Sequence, residues 1–143
     1  MDRKRGSILI KTISAIFITA ISIILSGRLY IFVSRNIEKQ DMKYRDLESL
    51  NAVSNEVKYN IKFDVLKDKL KNGNIILKYD NDFLERLTKE EVLDLKSDYR
   101  DKKRIEISLI DVNRNSFNIK IILYSDSKEI EEVIEKGLWM DYV

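Results

Sequence analysis

The chain has 143 residues, room for one membrane segment and one domain of about a hundred residues. Its 26 Lys and Arg stand against 24 Asp and Glu, a formal net charge of +2, and it contains neither cysteine nor histidine. That excludes a disulfide framework, a thiolate zinc site and histidine acid–base chemistry, and a domain this small buries a core suited to binding or assembly more than to a large enzyme.

The charge is unevenly placed. Before Thr12 the chain carries Arg3, Lys4, Arg5 and Lys11 against Asp2 alone, so the remainder is close to neutral with interspersed signs. The basic character belongs to the N-terminal tip, and the rest has no electrostatic footprint for nucleic acid. From Thr12 to Gly27 there are 16 residues without a charge. At 1.5 Å per residue this run spans roughly 24 Å, short of the ~30 Å hydrocarbon core. The apolar character extends from Ile8 to Val33, with Lys11 and Arg28 near the two ends, where their stems snorkel to the headgroups and Tyr30 sits at the outer interface. A cleaved signal peptide competes poorly. Its one small-x-small site inside the run, Ala20-Ile21-Ser22, would leave Ile23-Ile24-Leu25 at a new terminus. A buried core helix competes poorly as well, because nothing downstream covers a helix that is apolar all round. The prediction is a single transmembrane helix over 7–34. The cluster Arg3-Lys4-Arg5 sets its N-terminus in the cytoplasm and the rest of the chain outside.

The junction Arg3-Lys4-Arg5-Gly6-Ser7-Ile8-Leu9-Ile10 resembles the processing site of type IV pilins and pseudopilins. The resemblance covers about the first thirty residues and the general layout beyond them. It implies that residues 1–6 are a basic leader cut after Gly6 by a prepilin peptidase, and that Ser7 becomes the N-methylated first mature residue. The hydrophobic segment would then stay on the mature protein as the first half of a long helix. At the fifth mature position the family's filament-body subunits carry a glutamate that pairs with a neighbour's terminal amine, whereas this chain has Lys11. A cation there repels that amine. In the family, loss of the glutamate is typical of minor subunits, including the tip pseudopilin.

After the membrane the helix is expected to continue over 35–71. Tyr44, Leu47, Leu50, Val53, Val57, Ile61 and Val65 follow three- and four-residue steps along one face, and the chain contains no proline. A short coiled coil would give the same stripe. Asn72-Gly73 ends the helix or makes a tight turn. Residues 72–143 read as a small α+β domain. Ile75, Leu77 and Tyr79 alternate as a strand, and Phe83 to Lys96 reads as a short helix with Leu84, Leu87, Val92 and Leu95 inward. Arg104 to Asp111 and the run through Phe117, Ile119, Ile121 and Leu123 alternate as two strands joined at Asn113-Arg114-Asn115-Ser116, the firmest hairpin in the chain. Ser127 to Lys136 fits either a helix closed by Gly137 or a further antiparallel strand. The predicted class is α+β: a long N-terminal helix packed on a small antiparallel sheet.

Few residues suggest chemistry. Asp80-Asn81-Asp82 lacks the further carboxylates and the glycine of a calcium loop and reads as a polar turn. Asp94, Asp98 and Asp101 lie among lysines and arginines as a solvated stretch. A Ser7/Lys11 pair has no third group to make it a nucleophile and base. Trp139, Met140 and Tyr142 form a candidate contact surface, and the same side chains could equally seal the base of the sheet. No enzyme, cofactor, metal or small-molecule substrate is expected. The resemblance implies a minor pilin-like or pseudopilin-like subunit of a type IV filament, competence or type II secretion assembly. Such a subunit sits in the bacterial cytoplasmic membrane, and its partners are lipid, other pilin-like subunits and the prepilin peptidase. The alternative is a single-pass scaffold or adaptor of another envelope complex, with its outer helix in a coiled coil.

Overall fold

The computed structural model describes residues 2–97, 101–126 and 128–142, and the side chains among them from 8 to 141. Asp98 of the charged stretch, Ser127 and the side chain of Tyr142 lie outside the described residues. An uninterrupted apolar run followed by a proline-free amphipathic stretch folds as one helix, α1, over Asp2–Asn55. The chain divides into two compact units, one ending at Met42 and the other running from Lys43. In the first, the side chains from Ile8 onward are exposed, and the helix is long and apolar enough to cross a membrane.

The second unit begins on the last turns of α1. Leu50 and Val53 are buried, as the three- and four-residue spacing predicts, together with the polar Asp46, Ser49 and Ser54. Tyr44, expected on the same inward face, is exposed. The helix does not continue to residue 71. It widens into a π turn over Glu56–Asn60, passes through extended backbone at Ile61 and Lys62, and restarts as α2 over Phe63–Lys71. The reason lies in the phase of the apolar residues. At about 100° per residue, an unbroken helix would place Phe63, Leu66 and Leu70 roughly 140° around the axis from Leu50, Val53 and Val57. All six are buried, so the backbone breaks to bring the second set onto the core, and Val65 turns outward. α2 ends at Asn72, followed by Gly73 at φ +140°, a conformation that favours glycine.

Four antiparallel strands follow, in spatial order β1-β2-β3-β4. They are β1 Ile75–Lys78, β2 Arg104–Val112, β3 Ser116–Tyr124 and β4 Glu129–Gly137. The strict alternation of Phe117, Ile119, Ile121 and Leu123 puts all four on the buried face of the central strand β3. Ile105 and Ile107 of β2 and Ile75 and Leu77 of β1 lie in register beside them. Segment 127–136 is therefore strand rather than helix over its described core, with β4 paired to β3 along its whole length. The helix expected from Phe83 to Lys96 is shorter: α3 stops at Lys89, where Glu90 turns extended. Val92 and Leu95 are still buried, but from a turn that carries Lys96 beside Leu77 and lets Ser97 N–H donate to the Ile76 carbonyl at 2.7 Å. That segment covers the outer edge of β1. The edge strand β4 instead carries exposed Glu129, Glu131 and Glu135, and such a run of like charge discourages pairing with a foreign strand. A long apolar N-terminal helix whose last turns pack on a four-stranded antiparallel sheet is a pilin-like architecture and an α+β fold.

Candidate functional surfaces

In the first unit the apolar side chains from Ile8 to Val33 face outward, and three of the hydroxyls among them are bonded locally. Thr12 Oγ1 donates to the Ile8 carbonyl at 3.0 Å, Ser22 Oγ to Ile18 at 2.9 Å, and Thr19 Oγ1 to the Ala15 carbonyl. These three hydroxyls are satisfied within their own helix, as a hydrocarbon environment would require. Lys11 lies near the start of this stretch and Arg28 near its end, both exposed. Gly6 and Ser7 fall in the first turns of α1, and their side chains lie outside the described residues.

The C-terminal tail divides the two roles anticipated for it. After β4 the chain turns as a 3₁₀ helix, Leu138–Tyr142. Trp139 is 63 % exposed and lies so close over Gly137 that a Cβ there would collide with the indole, while Met140 is half-buried. The neighbouring Asp141, with no place in the contact surface read from sequence, does the sealing. Its carboxylate accepts from the Phe63 N–H at 2.8 Å and meets the Lys136 ammonium at 3.0 Å. Lys136 is fully buried on the inward face of β4, and its Nζ also donates to the Lys58 carbonyl at 2.6 Å. One ion pair thus serves both sides of the helix break: the carbonyl left open by the π turn and the first N–H of α2, whose N-cap Lys62 offers no side-chain bond. Burial pushes the Asp141 carboxyl up, but the Phe63 N–H and the Lys136 ammonium outweigh it and hold the group below the ordinary carboxylate range. Sequence reading missed this pair because a buried lysine is visible only once 127–136 is known to be strand. The register Ile130, Glu132, Ile134, Lys136 then points inward.

Two further polar contacts tie the end of α1 to the sheet side. Ser54 Oγ donates to Glu132 at 2.5 Å, and the Tyr79 hydroxyl donates to the buried Asp46 at 2.7 Å. Burial raises the Tyr79 phenol to about 12, with Asp46 adding to the rise and Ser49 opposing it. Because the folded value exceeds the ordinary 10, the phenol's contribution to stability is complete below pH 10 and is lost as pH climbs through about 12. An ultraviolet titration at high pH should show one late-ionising tyrosine, and that late component should vanish in Tyr79→Phe.

The outer face of the sheet is a network of paired charges. Arg104 lies between Glu106, at 3.0 Å, and the ring of Tyr124, 3.9 Å from its centroid. Lys120 pairs with Glu131 at 2.8 Å, and this bond raises its ammonium above the usual lysine value. In the polar turn before α3, Asp80 is engaged by Arg86 at 2.8 Å. Asp94 and Asp101 are exposed. Among the described residues no three acidic side chains converge on a point that could hold a metal ion. An open groove of about 570 Å³ lies between the end of α1 and α3, with Ala52, Leu84, Leu87, Glu56, Glu90 and Glu91 in its lining.

No family model, curated protein or solved structure matches the chain.

Proposed function

We propose that the chain is a minor pilin-like or pseudopilin-like structural subunit of a type IV filament, competence or type II secretion assembly. The observation that carries this reading is the passage of one exposed apolar helix into a segment that packs on a four-stranded antiparallel sheet. In the reading, the apolar stretch from Ile8 stores the subunit in the bilayer and then packs against neighbouring helices in the filament stem, and the sheet-bearing unit supplies lateral or tip contacts. The Gly6-Ser7 junction after Arg3-Lys4-Arg5 supports it from the sequence side, and Lys11 favours a minor over a body subunit. The scaffold alternative needs a free seam along the outer helix. Leu50, Val53 and Val57 are spent inside the unit, which favours the pilin-like reading.

Mass spectrometry of the protein extracted from membranes that contain an active prepilin peptidase should give a chain beginning at Ser7. Gly6→Leu should abolish that processing and leave the longer chain in the membrane. An intact Met1 terminus in the unaltered protein would remove the reading.

A further inference from the structure

Two exposed features of the sheet-bearing unit complement one another in charge, and each has an apolar part. The first is the groove beside α3. Leu84 and Leu87 are half-buried in it, and Glu56, Glu90 and Glu91 surround it. The only cation in its lining, Lys89, has its ammonium on Glu85 at 2.6 Å, so the three glutamates are not neutralised by it. Those glutamates do not converge to hold a metal ion, and as separate anions beside two leucines they suit ammonium groups on a protein surface.

The second feature is the outer face of α2. The phase jump that turns Phe63, Leu66 and Leu70 inward leaves Val65 as an apolar knob, 44 % exposed, with no role in the core. Lys62, three residues before it, and Lys69, four after, lie on one flank of that knob, and Asp68 lies on the other; all three are exposed. The result is an apolar centre with two cations on one side and one anion on the other. The groove offers the converse: two leucines and three anions in its lining, with its lysine held by Glu85.

We infer that the groove of one copy receives the Val65 face of α2 from a second copy of the chain. Val65 seats on Leu84 and Leu87, and Lys62 and Lys69 face Glu56, Glu90 and Glu91. The contact uses different surfaces on its two members, so it is head-to-tail and adds further copies unless the rotation closes a ring. It lies within residues 43–143 and does not depend on cleavage at Gly6.

The absence of cysteine from the chain makes the test clean. Two full-length variants with different tags, Val65→Cys and Thr88→Cys, are mixed in detergent micelles and oxidised. A mixed disulfide should form about tenfold more efficiently than between Val65→Cys and a control, Lys120→Cys, on the outer face of the sheet. Adding Glu90→Lys and Glu91→Lys to the Thr88→Cys chain should suppress the cross-link, and adding Lys62→Glu and Lys69→Glu to its partner should restore it. Cross-linking no better than the control overturns the proposal, as does failure of the second charge reversal to restore it. Preferential Val65-to-Val65 linkage overturns it in favour of a symmetric dimer. Capture of a different basic protein by Thr88→Cys in native membranes, without any mixed disulfide, overturns it in favour of a heterologous partner. Since Val65, Thr88, Glu90, Glu91, Lys62 and Lys69 are exposed, each single variant at these positions should melt with the parent protein, which separates lost contact from lost folding. An unprocessed N-terminus would refute the pilin-like reading and leave this result untouched.

Discussion

Replacing Asp141 with alanine should destabilise the sheet-bearing unit by about 3 kcal/mol, the scale expected when one member of a buried ion pair is removed. The cost arises mostly at Lys136, which is fully buried and would keep only the Lys58 carbonyl as a partner. The Phe63 N–H would lose its acceptor as well, so α2 would begin without a cap. Lys136→Met should cost less, about 1–2 kcal/mol, because the apolar chain fills the space of the lysine stem and leaves one carbonyl unmet. Combined with Asp141→Ala, it should recover part of the loss, since no uncompensated charge then remains inside. Urea unfolding of the full chain in a mild detergent, followed by the fluorescence of its one tryptophan, measures all three variants. Equal losses from Asp141→Ala and from the double variant would mean that the unpaired ammonium is not the source of the cost.

The same pair gives the unit a dependence on acid. The folded Asp141 carboxyl is held below its ordinary value, so its contribution is complete above the ordinary carboxylate range. It is lost as pH falls below that range and the folded group takes up its proton. The difference in stability between the parent and Asp141→Asn should therefore be constant near neutral pH and shrink on strong acidification.

What was legible in the sequence follows from the regularity of its patterns. The stretch from Ile8 to Val33 is a long apolar run with charges only at Lys11 and Arg28 near its ends, so a helix long and apolar enough to cross a membrane could be read from it. The β2–β3 hairpin around Asn113-Arg114-Asn115-Ser116 was legible from its alternation, with Ile105, Ile107 and the residues of β3 inward, but the register shift between Leu109 and Asp111 was not. The break after α1 could not, because no proline or glycine marks it. Val57 and Ile61 continue the first stripe into the break, and Val65 imitates its next step. β4 was ambiguous because Ile130, Val133 and Ile134 suit a helical face, whereas the strand buries Ile134 and Lys136 and turns Val133 outward. The Lys136–Asp141 clamp was hidden behind that ambiguity: a charged residue in an amphipathic segment is assigned to solvent unless the register is known. Trp139 and Met140 drew attention in the tail as large and amphipathic residues, while the aspartate beside them carries the bonds. The groove beside α3 draws residues from the end of α1 and from 84–91, and no local pattern in either segment announces it.

Phe63→Ala and Val65→Ala should separate the two phases of the helical region directly. Phe63 is buried and its ring meets Phe117 of β3 at 4.8 Å between centroids, so truncation removes a buried aromatic and opens a cavity between α2 and the sheet. The expected loss is about 3–5 kcal/mol. Val65 sits outside the core, and its truncation should stay within about 0.5 kcal/mol. A helix continuing unbroken from α1 would invert this order. In it, Val65 would extend the stripe of Val53, Val57 and Ile61, while Phe63 would turn toward solvent. Urea midpoints of the two variants in the full chain decide between these arrangements. A near-neutral Phe63→Ala with a costly Val65→Ala would restore the continuous helix and remove the basis for Val65 as an outward-facing contact. The opposite outcome leaves Val65 stable to truncation yet exposed beside two lysines, free to serve as a contact residue without a role in folding.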